Sequence, residues 1–116
     1  MRRGVRARLL RAEMVRLWRE WIPRLVQAAS EILGDGVEVY VFGSAAEGKL
    51  TAASDVDLLL VVDEVPDDFF ELARLKREVE ERAGLPRRHP FELHLVDREG
   101  ARFYLSGLRV RAIKIA

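Results

Sequence analysis

Apolar residues in the first third of the chain recur at three- and four-residue steps: Leu10, Met14, Leu17, Trp18, Trp21, Ile22, Leu25, Val26, Ala29, Ile32 and Leu33. That period predicts an amphipathic helix, with Gly34 as its stop. Pro23 falls inside the pattern, removes one backbone donor and disfavours helical geometry at Ile22, so a kink or a pair of helices is expected. Unbroken, residues 2–33 would run about 48 Å at the helical rise of about 1.5 Å per residue. A chain of this length has an expected radius of gyration of only about 13 Å. Part of the helix must therefore bend back or project.

The period then changes. Val37-Glu38-Val39-Tyr40-Val41-Phe42 alternates and predicts a strand, and the nearly continuous apolar run Val56 to Val62 predicts a strand buried on both faces. Pro66 and Asp67 open a helix of about four turns to Ala83, with Phe69, Phe70, Leu72, Leu75 and Val79 inward and Gly84 ending it. Residues 86–90 read as a loop, Phe91 to Val96 as a third strand and Arg98 to Leu105 as a short helix. Arginines alternating with Leu108, Val110 and Ala112 fit a final strand within 107–116. The order implies an α+β fold, a small mixed sheet backed by helices. With no repeat and no long linker, the chain reads as one domain over residues 23–116 with an N-terminal helical extension over residues 1–22.

Composition narrows the class. The 116 residues contain no cysteine, which removes disulfide scaffolds, zinc ribbons and cysteine nucleophiles together. His89 and His94 cannot make a tetrahedral metal site unaided. No apolar run approaches a membrane span, and no apolar segment follows Met1-Arg2-Arg3, so a cytoplasmic protein is expected. The net charge of +1 conceals a division. Residues 1–33 carry eight basic against three acidic side chains and residues 82–116 repeat that balance, whereas residues 34–62 carry one against five and residues 63–81 three against eight. The ends are basic and the middle is acidic. Arginine outnumbers lysine 17 to 3 and asparagine is absent, which fits a heat-adapted source and equally fits GC-rich coding.

The chemistry concentrates in Gly43-Ser44-Ala45-Ala46-Glu47-Gly48 and Ser54-Asp55-Val56-Asp57-Leu58-Leu59. A glycine after a strand lets the backbone approach a ligand, and the Ser44 hydroxyl can donate to a phosphate oxygen. Turns use both residues routinely, so this pair is a weak signal alone. Asp55 and Asp57 are stronger. Alternate residues of a strand share a face, and two carboxylates beside an apolar run need proton sharing, an arginine partner or divalent cations. Oxygen ligands with open positions favour magnesium or manganese over zinc. Glu92 and His94 share the face of their strand opposite Phe91, Leu93 and Leu95. If the two strands are neighbours, Glu92 completes three carboxylates around a two-metal site, an arrangement suited to in-line phosphoryl or nucleotidyl transfer.

These residues resemble the signature of the DNA polymerase beta-type nucleotidyltransferases, a Gly-Ser pair followed by an Asp-x-Asp strand. The Phe42-Gly43-Ser44 opening, the Ser54-Asp55-Val56-Asp57-Leu58 ending and the short chain resemble the minimal nucleotidyltransferases in particular. The resemblance covers most of residues 23–105. It implies the nucleotidyltransferase fold over residues 23–116, ATP as substrate, and Mg²⁺ or Mn²⁺ held by Asp55, Asp57 and Glu92. Gly43 and Ser44 would hold the triphosphate, Ser54 would belong to the nucleotide-binding set, and Glu92 would help activate the acceptor hydroxyl. Ala46 departs from the pattern, since many members carry an arginine there; Lys49 or a partner's arginine could supply the missing contact. The family further implies a HEPN-type toxin as partner, with AMP moved onto its tyrosine and the chain acting as antitoxin. Occlusion of the toxin by a catalytically weak subunit, and transfer to an RNA end, are the alternatives.

The remaining polar and aromatic residues have plainer readings. His94 reads as a half-buried neighbour of the site rather than a ligand, and His89 as a loop residue. Ser54 can simply end its loop. Trp18 and Trp21 read as packing residues. Arg87-Arg88 and the N-terminal arginines read as a solvated face before they read as a nucleic-acid patch. The apolar stripe before Pro23 exceeds what a small sheet can cover, so a partner or homo-oligomer interface is expected there.

Overall fold

The structure, a computed structural model, describes residues 3–107 and 111–116. Two helices, α1 (Arg3–Arg16) and α2 (Trp18–Leu33), precede β1 (Glu38–Phe42), a one-turn α3 (Ser44–Glu47) and β2 (Val56–Val61). Then follow α4 (Phe69–Arg82), β3 (Phe91–Val96), α5 (Arg98–Arg102), a π-helical turn at Phe103–Gly107 and β4 (Ala112–Lys114). The strands form one sheet in the order β3-β2-β1-β4. β1 lies antiparallel to β2 and to β4, while β2 and β3 are parallel, as a strand–helix–strand crossover through α4 requires. This is the mixed α+β sheet expected from the sequence. The final strand is confined to β4, and residues 108–110 of the expected segment lie outside the described residues.

The sheet has two unequal faces. Val39, Val41, Val56, Leu58, Leu60, Phe91, Leu93 and Leu95 pack with Trp18, Ile22, Leu25, Ala28 and Ala29 of α2 and Val79 of α4 in the main core. The other face carries a smaller cluster, Phe42, Leu59, Val61 and Ala101, with Tyr40, Val96 and Tyr104 against it. β2 supplies residues to both, which is why its sequence is an almost unbroken apolar run. Trp18 is buried and Trp21 packs against the main core, each with an arginine over its ring, Arg19 at 4.4 Å and Arg24 at 5.0 Å.

Three expectations need correction. The helical break falls at Leu17 (φ −105°, ψ 29°), and Pro23 sits inside α2. Pro23 is exposed there, where water can reach the helix, which lowers the cost of a missing bond. α4 starts at Phe69, where the Asp68 carboxylate accepts from the Phe70 amide, rather than at Pro66. Phe69 and Phe70 are accordingly not inward: they occupy the first turn, past the packed layer, and are 74% and 80% exposed. Between β1 and β2, α3 occupies one turn directly after Gly43.

The N-terminal helix both projects and packs. The Cα radius of gyration is 14.2 Å and the longest extent 45 Å. Leu9 and Leu10 are exposed, but Met14 and Val15 are 1% and 3% exposed, and Met14 belongs to the main core. Met14→Ala is therefore expected to cost about 2–5 kcal/mol in urea denaturation, and Leu10→Ala no more than about 0.5 kcal/mol. A second tie joins α2 to α4, where Arg82 Nη1 donates to Glu31 Oε2 at 2.8 Å. That bond, and a lesser one from Gln27, hold the Glu31 carboxyl below its ordinary value. A lowered carboxylate pKa stabilises above the unfolded value of about 4.3 and is lost as pH falls through the folded value. Glu31→Gln should make the stability–pH curve slightly flatter below about pH 4.3, with no change in its alkaline limb.

Candidate active site

The site forms where three strands present one open edge of the sheet. Parallel pairing sets Asp57 opposite Glu92, and on the other side of β2 Phe42 lies opposite Asp57. His94, two residues beyond Glu92 on the same face, brings Nε2 to 3.3 Å from Asp57 Oδ1 and 3.9 Å from Glu92 Oε1. Asp57, Glu92 and His94 each offer a ligand atom within 4.8 Å of the others. Glu92 is exposed, while Asp57 and His94 are half-buried. Phe42 meets the His94 ring edge-on at 5.1 Å, Tyr104 approaches it at 5.7 Å, and Phe42 and Tyr104 lie 5.5 Å apart, so the imidazole is one corner of a three-ring cluster.

Gly43 turns the chain immediately after β1. Its φ of +70° is left-handed backbone, and a Cβ there would lie 3.2 Å from Asp57 Oδ2. Glycine is required twice over, for the turn and for the approach of the Asp57 carboxylate. Its amide donates to the Arg111 carbonyl at 3.1 Å, which ties the turn to the segment entering β4. Ser44 follows at the start of α3, exposed, and Ala46 is buried.

Asp55 stands apart from the cluster. It precedes β2 and is exposed, and its Oδ1 accepts from Arg11 Nη2 of α1 at 2.6 Å. The expected trio of Asp55, Asp57 and Glu92 is thus divided in the described structure, with His94 taking the third place beside Asp57 and Glu92. Ser54 spends its hydroxyl on the loop: Oγ accepts from the Thr51 amide at 2.8 Å and lies 3.1 Å from Thr51 Oγ1. His89 is a loop staple, with Nδ1 accepting from the Phe91 amide at 3.0 Å. Arg11 escaped the sequence reading because it lay in the extension, outside the resemblance. The available signal was its place three and four residues before Met14 and Val15, on one helical face. Tyr104 had no signal, because a π-helical turn brings it over His94.

Two carboxylates and one imidazole, converging beside open solvent, suit a small divalent cation; magnesium and manganese accept oxygen donors, and manganese also tolerates imidazole. Comparison with known proteins supplies a family and a fold. A family model described as nucleotidyltransferase domain matches residues 22–114. No curated protein sequence matches the chain significantly. Among solved structures, one assigned as a nucleotidyltransferase superposes with a TM-score of 0.55 at 20% identity, covering 78% of this chain and 91% of that one. Another, from Sulfolobus solfataricus and assigned in the same way, gives a TM-score of 0.51 at 16% identity over 98% of this chain and 86% of that one. At these identities the likeness is one of fold.

Gly43 (φ +70°, ψ −142°) and Gly48 (φ +70°, ψ 26°) both have positive φ, but a Cβ at Gly48 meets nothing within 4 Å, which makes Gly48 the control without a neighbour to displace. Gly48→Ala should lower stability by about 1 kcal/mol through the backbone alone. Gly43→Ala should lower it at least as much and also weaken Mn²⁺ binding, measured by electron paramagnetic resonance, because the new methyl displaces Asp57.

Proposed function

The chain belongs to the nucleotidyltransferase domain family, and from that premise we propose that it moves AMP from ATP onto a hydroxyl of another protein. Nucleotidyl transfer is the activity class of the family; donor, acceptor and residue roles are our reading. The observation that carries it is the convergence of Asp57, Glu92 and His94 within 4.8 Å, beside a glycine turn where a Cβ would lie 3.2 Å from Asp57 Oδ2. Asp55, Asp57 and Glu92 would hold Mg²⁺ or Mn²⁺, with His94 beside them. When bound, the cation supplies positive charge against the charge that develops on the transferring phosphate.

The protein's own groups have separate tasks. Gly43 lets the backbone come close to the triphosphate, and Ser44 donates its hydroxyl to a phosphate oxygen. Glu92, the most open of the three clustered groups, draws the proton from the acceptor hydroxyl. The acceptor oxygen then bonds to the α-phosphorus, the bond to the bridging oxygen breaks, and pyrophosphate leaves. Phe42 and Tyr104 keep the His94 ring oriented toward Asp57.

The acceptor we favour is a tyrosine of a HEPN-type partner, with the chain acting as its antitoxin in the cytoplasm. What supports a protein partner is the exposed apolar edge of α1, Leu9 and Leu10 at 55% and 49%, flanked by arginines. The same edge could instead join two copies of the chain. Among the described residues no helix is long and apolar enough to cross a membrane. A second reading, neutralisation of the partner by occlusion with little catalysis, draws on Ala46, a buried methyl where many relatives by resemblance carry an arginine.

Incubation with labelled ATP, Mg²⁺ and the HEPN-type partner, followed by mass spectrometry, should find AMP on the partner. Asp55→Asn with Asp57→Asn should abolish the adduct while leaving the circular dichroism unchanged. A tight complex with no adduct would favour occlusion, and an undiminished adduct in the double variant would refute the mechanism.

A further inference from the structure

Arg11 is where the N-terminal helix meets the site. Its side chain is half-buried, at 23% exposure, whereas the Asp55 side chain it binds is 59% open. α1 is seated at this point. Met14 and Val15, at i+3 and i+4, are buried and share the face of Arg11. Ala12 and Val15 also line one groove with Ala45 and Gly48, so α1 runs alongside the turn that follows Gly43. Packing thus fixes the backbone of Arg11 beside the site, and its side chain reaches from there to Asp55.

A triphosphate needs cationic partners, and the Ser44–Glu47 turn presents none: Ala45 and Ala46 are both buried methyl groups. Among the described residues, Arg11 is the arginine in contact with one of the site's carboxylates. A guanidinium binds carboxylate and phosphate with the same planar fork. If a divalent cation takes Asp55, the charge that holds Arg11 is cancelled, and a half-buried arginine is left in want of an anion. We propose that Arg11 is a phosphate ligand of the incoming nucleoside triphosphate, held on Asp55 in the free protein and passed to the β- or γ-phosphate when nucleotide and cation arrive. This rests on the nucleotidyl-transfer reading of the same site and adds to it a residue from outside the resemblance.

The test is equilibrium binding of N-methylanthraniloyl-ATP, with AMP as competitor, to the full chain. In Mg²⁺, Arg11→Gln should weaken triphosphate binding about tenfold or more and leave AMP binding nearly unchanged, with Arg11→Lys intermediate. In EDTA, Asp55→Asn frees Arg11 and should tighten triphosphate binding; adding Arg11→Gln should cancel that gain. The double variant separates Arg11 from the simple removal of a negative charge, which both Asp55→Asn proteins share. Equal binding by the wild type and Arg11→Gln, or by the two Asp55→Asn proteins, overturns the proposal. Tighter binding by Arg11→Gln also overturns it, since Arg11 would then be a plug. A wild type that binds no nucleotide in Mg²⁺, with an intact thermal melt, overturns the nucleotidyl-transfer reading beneath it.

Discussion

Parallel pairing of β2 with β3 determines where this chain can carry out chemistry. Leu93 and Leu95 are buried in the main core beside Leu58 and Leu60, and that burial selects one register for β3. Because side chains alternate, a slip of one residue would carry Glu92 and His94 into the apolar core and turn Leu93 and Leu95 outward. The apolar half of the strand therefore sets the position of the polar half. Asp57 and Glu92 come opposite each other as a consequence, and like charges so placed repel unless something binds between them.

The uneven covering of the sheet keeps that end accessible. Three long helices, α1, α2 and α4, contribute to the main core, whereas among the described residues the second face has α5 and the π-helical turn against it. Leu59, Val61 and Ala101 fill the covered part, and the ring cluster of Phe42, His94 and Tyr104 stands at its border. Beyond that border the strand positions are polar. Had a long helix crossed this face, Asp57 and Glu92 would have been fully desolvated, at a cost no single imidazole could offset. A thin second layer leaves room for water, a cation and substrate.

The parts of this arrangement visible in the sequence are those written as strong local patterns. The three principal strands show as alternation or as an apolar run, and the parity of Glu92 and His94 against Phe91, Leu93 and Leu95 is a period-two fact. The Asp55-x-Asp57 pair stood out because carboxylates seldom interrupt a buried strand. Features set by tertiary packing were not visible. α3 is a single turn, too short for any helical period to register. Phe69 and Phe70 fit the inward stripe of α4 by spacing, but nothing in the spacing reveals that the first turn lies beyond the packed layer. The division between Asp55 and Asp57 depends on Arg11, forty-four residues away in the chain, and only the fold brings them together.

That division gives the charge pattern a function it lacks as arithmetic. The basic first third and the acidic middle meet at the Arg11–Asp55 pair, so two carboxylates of one strand edge sit in unlike surroundings. Asp57 faces Glu92 and His94, with no arginine joined to it among the described residues. On the proposed reading a first cation would find its ligands there. A cation at Asp55 has first to displace a guanidinium, and the displacement is favourable only if another anion accepts that group. On the proposed reading the triphosphate is that anion, so occupancy of Asp55 and of the nucleotide pocket are linked through Arg11. Linkage is reciprocal: whatever the cation adds to nucleotide affinity, the nucleotide must add to the cation's. The exchange would keep the second metal position closed to cations arriving alone, and the residue responsible belongs to the helix whose Met14 is anchored in the main core.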